Sequence, residues 1–355
     1  MNRNDALDQL AIHYVKLALA LGCHEEGYVD AYYGPDAWKA EAEAKAEDLG
    51  AIRRQAVAVL EGLEGIPDST LDHALRLRRT FLAKQMRSLV ARVDMNAGLR
   101  FAFDEESTLL YDAVAPVVPV AHFQKALETL AELLPGTGTV AERYHAYMSR
   151  FVIPKERLHA VFSAAMAESR ARTAKWIALP DEENCTLEYV TDKPWSGYNW
   201  FKGGAYSVIQ MNTDLPIYID RATDLASHEG YPGHHVYNAL LETHLVKQRQ
   251  WLEFTIYPLF CPQSLIAEGT ANFGIAMAFP ETERARFERD VLFPLAGLDT
   301  SEMERYTAIR SAVEGLSYAS NEAARQYLDG HLTREETARW LIENALSNPE
   351  RAEQR

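Results

Sequence analysis

The chain has little cysteine, no long apolar run and a deficit of basic charge, and each shortage removes a class of function. Its three cysteines in 355 residues, Cys23, Cys185 and Cys261, are scattered and odd in number. They share no C-x-x-C spacing, so they offer neither a disulfide framework nor a cysteine metal site; free thiols in a reducing compartment are the expectation. Hydrophobic residues make up 47%, ordinary for a globular chain, yet no segment approaches the roughly 18 consecutive apolar residues of a membrane span. Asp5, Asp8, His13 and Lys16 interrupt the stretch from Met1 to Leu21, which reads as an amphipathic helix and not as a signal peptide. With 36 basic against 51 acidic residues the formal charge is −15. Nucleic acid and anionic membrane demand basic patches, so neither is an expected partner. A cytoplasmic protein is the default expectation, and oligomeric state is not legible.

What is present is mostly helical periodicity. Ala6, Leu10, Tyr14, Leu17 and Leu21 recur at three-to-four spacing and share one face. The stretches Ala37 to Leu63 and Leu71 to Val93 are rich in helix formers; Gly65 closes the first, and Ser69 is a candidate N-cap for the second. Val120 to Leu134, Lys155 to Lys175, a run from Ala222, Glu242 to Leu252, Gln263 to Phe279, Glu281 to Phe293, Ser301 to Leu328 and Thr333 to Leu346 continue the pattern. Between Pro180 and Pro216 the character changes. Tyr206 to Asn212 is β-branched and flanked by turn residues, which predicts a strand. The preceding Trp195 to Gly204 segment suits a cleft-lining loop or a packed aromatic cluster. The expected fold is mainly α with a small β element, an N-terminal helical region at 1–178 and a C-terminal region at 179–355, intimately packed.

Chemistry concentrates in His228-Glu229-Gly230-Tyr231-Pro232-Gly233-His234-His235. Two imidazoles on one metal with a carboxylate beside them are the parts of a zinc hydrolase, usually spaced H-E-x-x-H on one helix. In an unbroken helix His234, six positions after His228, is rotated by roughly 240° and raised about 9 Å. His235 returns to the same face but rises about 10 Å, too far for two bonds of about 2.1 Å to one ion. A straight helix therefore abolishes the site. Pro232-Gly233 is a place for a kink or bulge, and a bulge absorbing two residues brings His234 to the position of the second ligand. Glu268, in Ile266-Ala-Glu-Gly-Thr-Ala-Asn272, is the candidate third ligand, a carboxylate in an otherwise apolar helix. Asn272, one turn later, and Asp224, one turn before His228, are candidates to hydrogen-bond a liganding histidine. One zinc ion on His228, His234 and Glu268 leaves a position for water, with Glu229 adjacent as general base. The other eight histidines lack such company.

These residues resemble the gluzincin metallopeptidases, which hold zinc by two histidines of one helix and a glutamate of the next. Aligning the Gly-His ends of the motifs makes Gly233-His234 the equivalent pair, which favours His234 over His235 as ligand and leaves His235 beside the metal. The chain more closely resembles bacterial zincin-like helical proteins with the pattern H-E-x-x-P-G-H-H and a downstream Glu-Gly. The likeness covers roughly Tyr206 to Tyr318, including Asn212-Thr-Asp-Leu-Pro216. It departs at Glu268-Gly-Thr-Ala, where that family usually has Glu-Gly-Trp-Ala. The resemblance implies a zincin-like architecture with a substrate cleft and hydrolysis of short peptides. It further implies an edge strand above the metal, at the sequence position of Tyr206 to Asn212, and an oxyanion donor from a C-terminal helix, for which Tyr318 is the best match. Asn212 and Tyr198 are candidate substrate contacts, with Lys202 and Arg310 behind them. Hydrolysis of a non-peptide amide, and a binding protein whose expanded motif holds no metal, are the alternative readings.

Overall fold

Alternating helix formers and capping residues divide the N-terminal part of the computed structural model, which describes residues 3–354, into four main helices. Arg3–Gly22, Asp36–Lys45, Leu49–Glu64 and His73–Asn96 pack around Leu7, Tyr14, Leu21, Ile52, Leu63, Leu82 and Leu89; Met1 and Asn2, at the start of the expected first helix, lie outside the described residues. The single helix expected from Ala37 to Leu63 is two. Ala46 adopts a left-handed φ of 43°, and the Asp48 carboxylate accepts the Ala51 N–H at 2.8 Å to start the second. Aspartate's side chain competes for a backbone donor, which a count of helix formers does not register. Gly65 closes that helix as expected, but Asp72, not Ser69, caps the next, accepting the Leu75 N–H at 2.8 Å.

The helices Val120–Leu133 and Leu158–Thr173 bury Phe123, Leu130, Val161 and Phe162 in a second core that continues through Ile209, Met211, Leu225, Phe293 and Tyr306. The buried core therefore does not divide at residue 178: residues between about Phe123 and Met166 share it with the C-terminal half. Met303–Glu314 and Ala319–Leu328 replace one expected helix, split at Gly315 to Tyr318. The fold is mainly helical with two small sheets, and no described helix is long and apolar enough to cross a membrane.

In the smaller sheet β1 (Val29–Tyr32) pairs antiparallel with β5 (Ile256–Pro258), which leads into the helix Pro262–Ala278. A buried ion pair ties this region to the N-terminal helices: Arg78 donates to both carboxylate oxygens of Glu253 at 2.5 and 2.8 Å. The larger sheet contains β2 (Asn184–Val190), β3 (Gly197–Phe201) and β4 (Tyr206–Asn212) in the order β2-β4-β3. The strand expected at Tyr206 to Asn212 is present over those residues, but it is the central strand, parallel to β2 and antiparallel to β3. The two edge strands are β2 and β3, and β3 lies inside the aromatic segment. β-Branching reported the strand; its neighbours are set by contacts that no local pattern contains.

Candidate metal centre

The helix Asp220–Leu225 passes into a π-helical turn at Ala226–Gly230 and stops. Tyr231 N–H reaches back to the Ala226 carbonyl at 3.0 Å, Gly233 N–H reaches the Ser227 carbonyl at 2.9 Å, and the helix restarts at His234. The Tyr231–Pro232 peptide is cis. Proline supplies no N–H to continue the ladder. A Cβ on Gly233 would lie 1.9 Å from the His228 carbonyl oxygen, so only glycine fits that fold-back. Gly274 of the glutamate helix, whose added Cβ would meet Pro232 at 2.9 Å, leaves room for the insertion to press against it. The interruption that the spacing requires is thus built from the inserted residues and from one glycine 41 positions further on than Gly233.

The consequence is a convergence of three donor atoms. His228 Nε2 lies 3.1 Å from His234 Nε2 and 3.4 Å from Glu268 Oε2, and His234 Nε2 lies 3.2 Å from Glu268 Oε1. A tetrahedral ion with bonds of about 2.0–2.1 Å requires ligand atoms about 3.3–3.4 Å apart, so two nitrogens 3.1 Å apart, each with a different oxygen of Glu268 near that spacing, suit zinc in donor type and separation. Asn272 hydrogen-bonds His228, as expected from its place one turn beyond Glu268. Burial opposes a charge on His228, but Glu268, Glu229 and Asn272 outweigh it and raise its pKa. The same histidines hold Glu268 far below the usual carboxylate range. The Glu268 side chain is 55% exposed, against 17% for His228, so the centre opens to solvent on the glutamate side.

Glu229 is 6% exposed. Burial raises its pKa, and His234 and His228 pull the other way. Its carbonyl accepts the Asn199 side-chain N–H at 2.7 Å, and Gly197 approaches its carboxylate, an added Cβ lying 3.4 Å from Oε1. The edge strand β3 therefore runs alongside Glu229.

Several candidate residues lie elsewhere than the sequence suggested. His235 is fully buried and turned away from the donors: its Nδ1 meets Ser207 Oγ at 2.9 Å and its Nε2 meets Glu183 Oε2 at 3.0 Å. A carboxylate can only accept, so Nε2 donates to Glu183 and Nδ1 accepts from Ser207; burial holds this histidine below its usual pKa. Glu183 also accepts from Tyr231 Oη at 2.5 Å and from Arg170 Nε at 2.7 Å. His235 is a latch that fixes both ends of the insertion to the sheet. Asp224 pairs with Arg284 at 2.8 Å and does not serve His228. Tyr198 lies one residue out of phase with Gly197 and Asn199, the residues of β3 that face Glu229, and packs at tilted angles against Trp195 and Trp200, ring centroids 5.3 and 4.6 Å away, on the other face. Asn212 is occupied by the Lys193 and Trp195 carbonyls at 2.8 and 2.9 Å. Lys202 sits over Trp200, and Arg310 pairs with buried Glu288 at 2.7 Å. Tyr318 is 44% exposed at the junction between two helices, with no hydrogen bond or ring contact to the donors among the described residues.

Four residues near the centre carried no sequence signal, because each arrives from a distant segment: Asn199, Glu183, Asp30 and Tyr257. The last two lie in the β1–β5 ribbon, where Asp30 feels the charges of His234, Glu229 and Glu268, and Tyr257 feels Glu268 and Asp30. A hollow of about 420 Å³ elsewhere, between Leu17, Trp38 and Val59, shares no residue with the centre.

Asp220, at the start of the metal helix, yields a stability prediction. One of its carboxylate oxygens is sealed from solvent without a partner; burial first and Asp224 second raise its pKa from 3.8 to about 6. A raised carboxyl destabilises the fold where it is ionised, so the cost is absent below about pH 3.8 and complete above about pH 6. Asp220→Asn is expected to raise stability by about 1–2 kcal/mol at pH 8, discounted for the residue's partial exposure. The gain should vanish near pH 4, as urea denaturation at the two pH values would reveal; an equal gain at both would contradict this account.

Comparison with protein-family models, with curated proteins and with solved structures finds no match to this chain.

Proposed function

We propose that this chain is a zinc-dependent hydrolase that cleaves short peptides, with the zincin-like arrangement its motif resembles. The observation that carries this reading is the convergence of His228, His234 and Glu268, their donor atoms all within 4.8 Å of one another, beside the buried carboxyl of Glu229. His228, His234 and Glu268 would hold the ion, which supplies Lewis acidity to a substrate carbonyl and makes a water readily deprotonated. Glu229 would take the proton of the attacking water and return it to the departing amine; its burial beside the converging donors suits a group that must both accept and donate. Asn199 holds the Glu229 backbone against β3. The free edge of β3 provides main-chain donors and acceptors where an extended peptide can add as a fourth strand, replacing the role expected of Tyr206 to Asn212. For the oxyanion, we assign the half-buried Tyr257, which feels the charge of Glu268, in preference to Tyr318.

Metal analysis followed by digestion of a peptide library tests the proposal. The expected result is about one zinc per chain and cleavage of short peptides that is lost on chelation and restored by zinc. Purified protein that takes up no zinc at neutral pH would sink it and favour a binding protein. Zinc uptake with no peptide cleaved would instead point to a non-peptide amide.

A further inference from the structure

The ribbon segment 29–33 joins the two walls of the centre. On one side β1 pairs with β5, four residues ahead of the glutamate helix, with Ala31 opposite Tyr257. On the other, Tyr33 packs edge-on against Phe201, ring centroids 5.3 Å apart, and donates its hydroxyl to the Phe254 carbonyl at 2.7 Å. Phe201 is the last residue of β3, so this segment packs against the C-terminal end of that strand.

Asp30 lies three residues before Tyr33 in the same segment. The register passes from Val29 opposite Pro258 to Ala31 opposite Tyr257, which leaves Asp30 as the extra residue of a β-bulge. Bulges redirect a side chain out of the ladder and recur beside active sites. Other acids brought into this part of the molecule have partners: Glu253 has Arg78, Glu25 has Arg92 and Asn96, and Glu242 accepts the Gly204 and Ala205 N–H groups. No hydrogen bond or ion pair to the Asp30 carboxylate occurs among the described residues. Burial pushes its carboxyl up to about 6, His234 draws it down, and Glu229 and Glu268 add to the rise. Asp30 is thus a half-buried carboxylate with no hydrogen-bonded or ion-paired cation of its own among the described residues.

We propose that Asp30 is the anionic subsite for a substrate ammonium group at the C-terminal end of β3, and that the enzyme removes short pieces from a free peptide N-terminus. This rests on the peptidase reading above. The direction follows from charge and pairing together. A peptide antiparallel to β3, the commoner pairing, puts its N-terminus beside Phe201 and hence beside Asp30. A parallel peptide would bring its terminal carboxylate there, against Asp30. A lysine side chain presents the same ammonium chemistry as the α-amino group, so the experiment separates the two.

The test compares a short peptide with a free N-terminus, its N-acetyl form, and an N-acetyl form with lysine as first residue. With zinc-loaded native protein, the free peptide should lose one or two N-terminal residues. It should exceed the plain acetylated peptide by about 10- to 100-fold in kcat/KM, mostly through KM. Recovery by the acetyl-lysine peptide would assign Asp30 to a side-chain ammonium and overturn the N-terminal assignment. In Asp30→Asn the preference for the free amine should collapse to less than about threefold; an equal loss on free and acetylated peptides overturns the subsite. The native comparison stands even if that variant does not fold. Calorimetric binding of free and acetylated peptides to zinc-loaded Glu229→Gln reads the subsite without turnover. Cleavage of both peptides without preference overturns the subsite alone, whereas a zinc-loaded protein that neither binds nor cleaves either peptide overturns the peptidase reading with it.

Discussion

Glu229→Gln is expected to lower kcat by about 10²- to 10⁴-fold while zinc stays at about one equivalent. The substitution is nearly isosteric and removes only the ability to accept and return a proton. Glu229 is not one of the three converging donors, and its backbone is held by Asn199 at 2.7 Å irrespective of side-chain charge, so metal and helix should both survive. The surroundings are consistent with a working base: a carboxyl 6% exposed, adjacent in the chain to one of the converging donors. The measurement is kcat on the best library peptide alongside metal content of the same sample. Full activity in Glu229→Gln with zinc retained would exclude the mechanism and leave the metal site standing.

The second large effect separates the adjacent histidines. His234→Ala should weaken zinc binding by more than the roughly 10- to 100-fold that removal of a hydrogen-bonding partner of a ligand costs, with little change in the stability of the metal-free protein. His235→Ala should do the reverse. It leaves Glu183 short of one donor inside the protein and opens a cavity beside Ser207, costing about 2–4 kcal/mol. Its effect on zinc should stay within the smaller range, because it acts only through the anchorage of the insertion. Zinc competition with a chelator and denaturation in metal-free buffer give the two numbers for each variant. If His235→Ala loses the metal and His234→Ala keeps it, the ligand assignment is inverted.

This second prediction turns on a difference between two histidines that neighbour each other in the chain. Their proximity to His228, and the need for a broken helix between them, were legible in eight residues, because the rise and rotation of a helix are fixed and Pro232-Gly233 marks where it yields. Glu268 and Asn272 were also legible, as polar residues one turn apart in an apolar stretch. His235 was not: its partner Glu183 is 52 positions away, and nothing local says that a histidine inside a metal motif should face a sheet. Tyr198 misled for a similar reason. An aromatic residue ahead of a metal helix is a plausible wall of a cleft until the strand's alternation turns it to the far face.

By itself, then, the sequence determined that the protein is mainly helical, that Tyr206 to Asn212 is a strand, and which residues could meet at a metal only if the helix were interrupted. These are properties of short segments, set by periodicity, capping and the covalent limits of proline and glycine. The tertiary structure alone decided that the strand is central with β2 and β3 at its edges, that His235 latches the insertion through Glu183, and that the β1–β5 ribbon brings Asp30 and Tyr257 within reach of the charge of Glu268. Those outcomes depend on segments such as β1 and β5, more than 200 residues apart, whose pairing is selected by packing and by the satisfaction of buried polar groups across the whole chain.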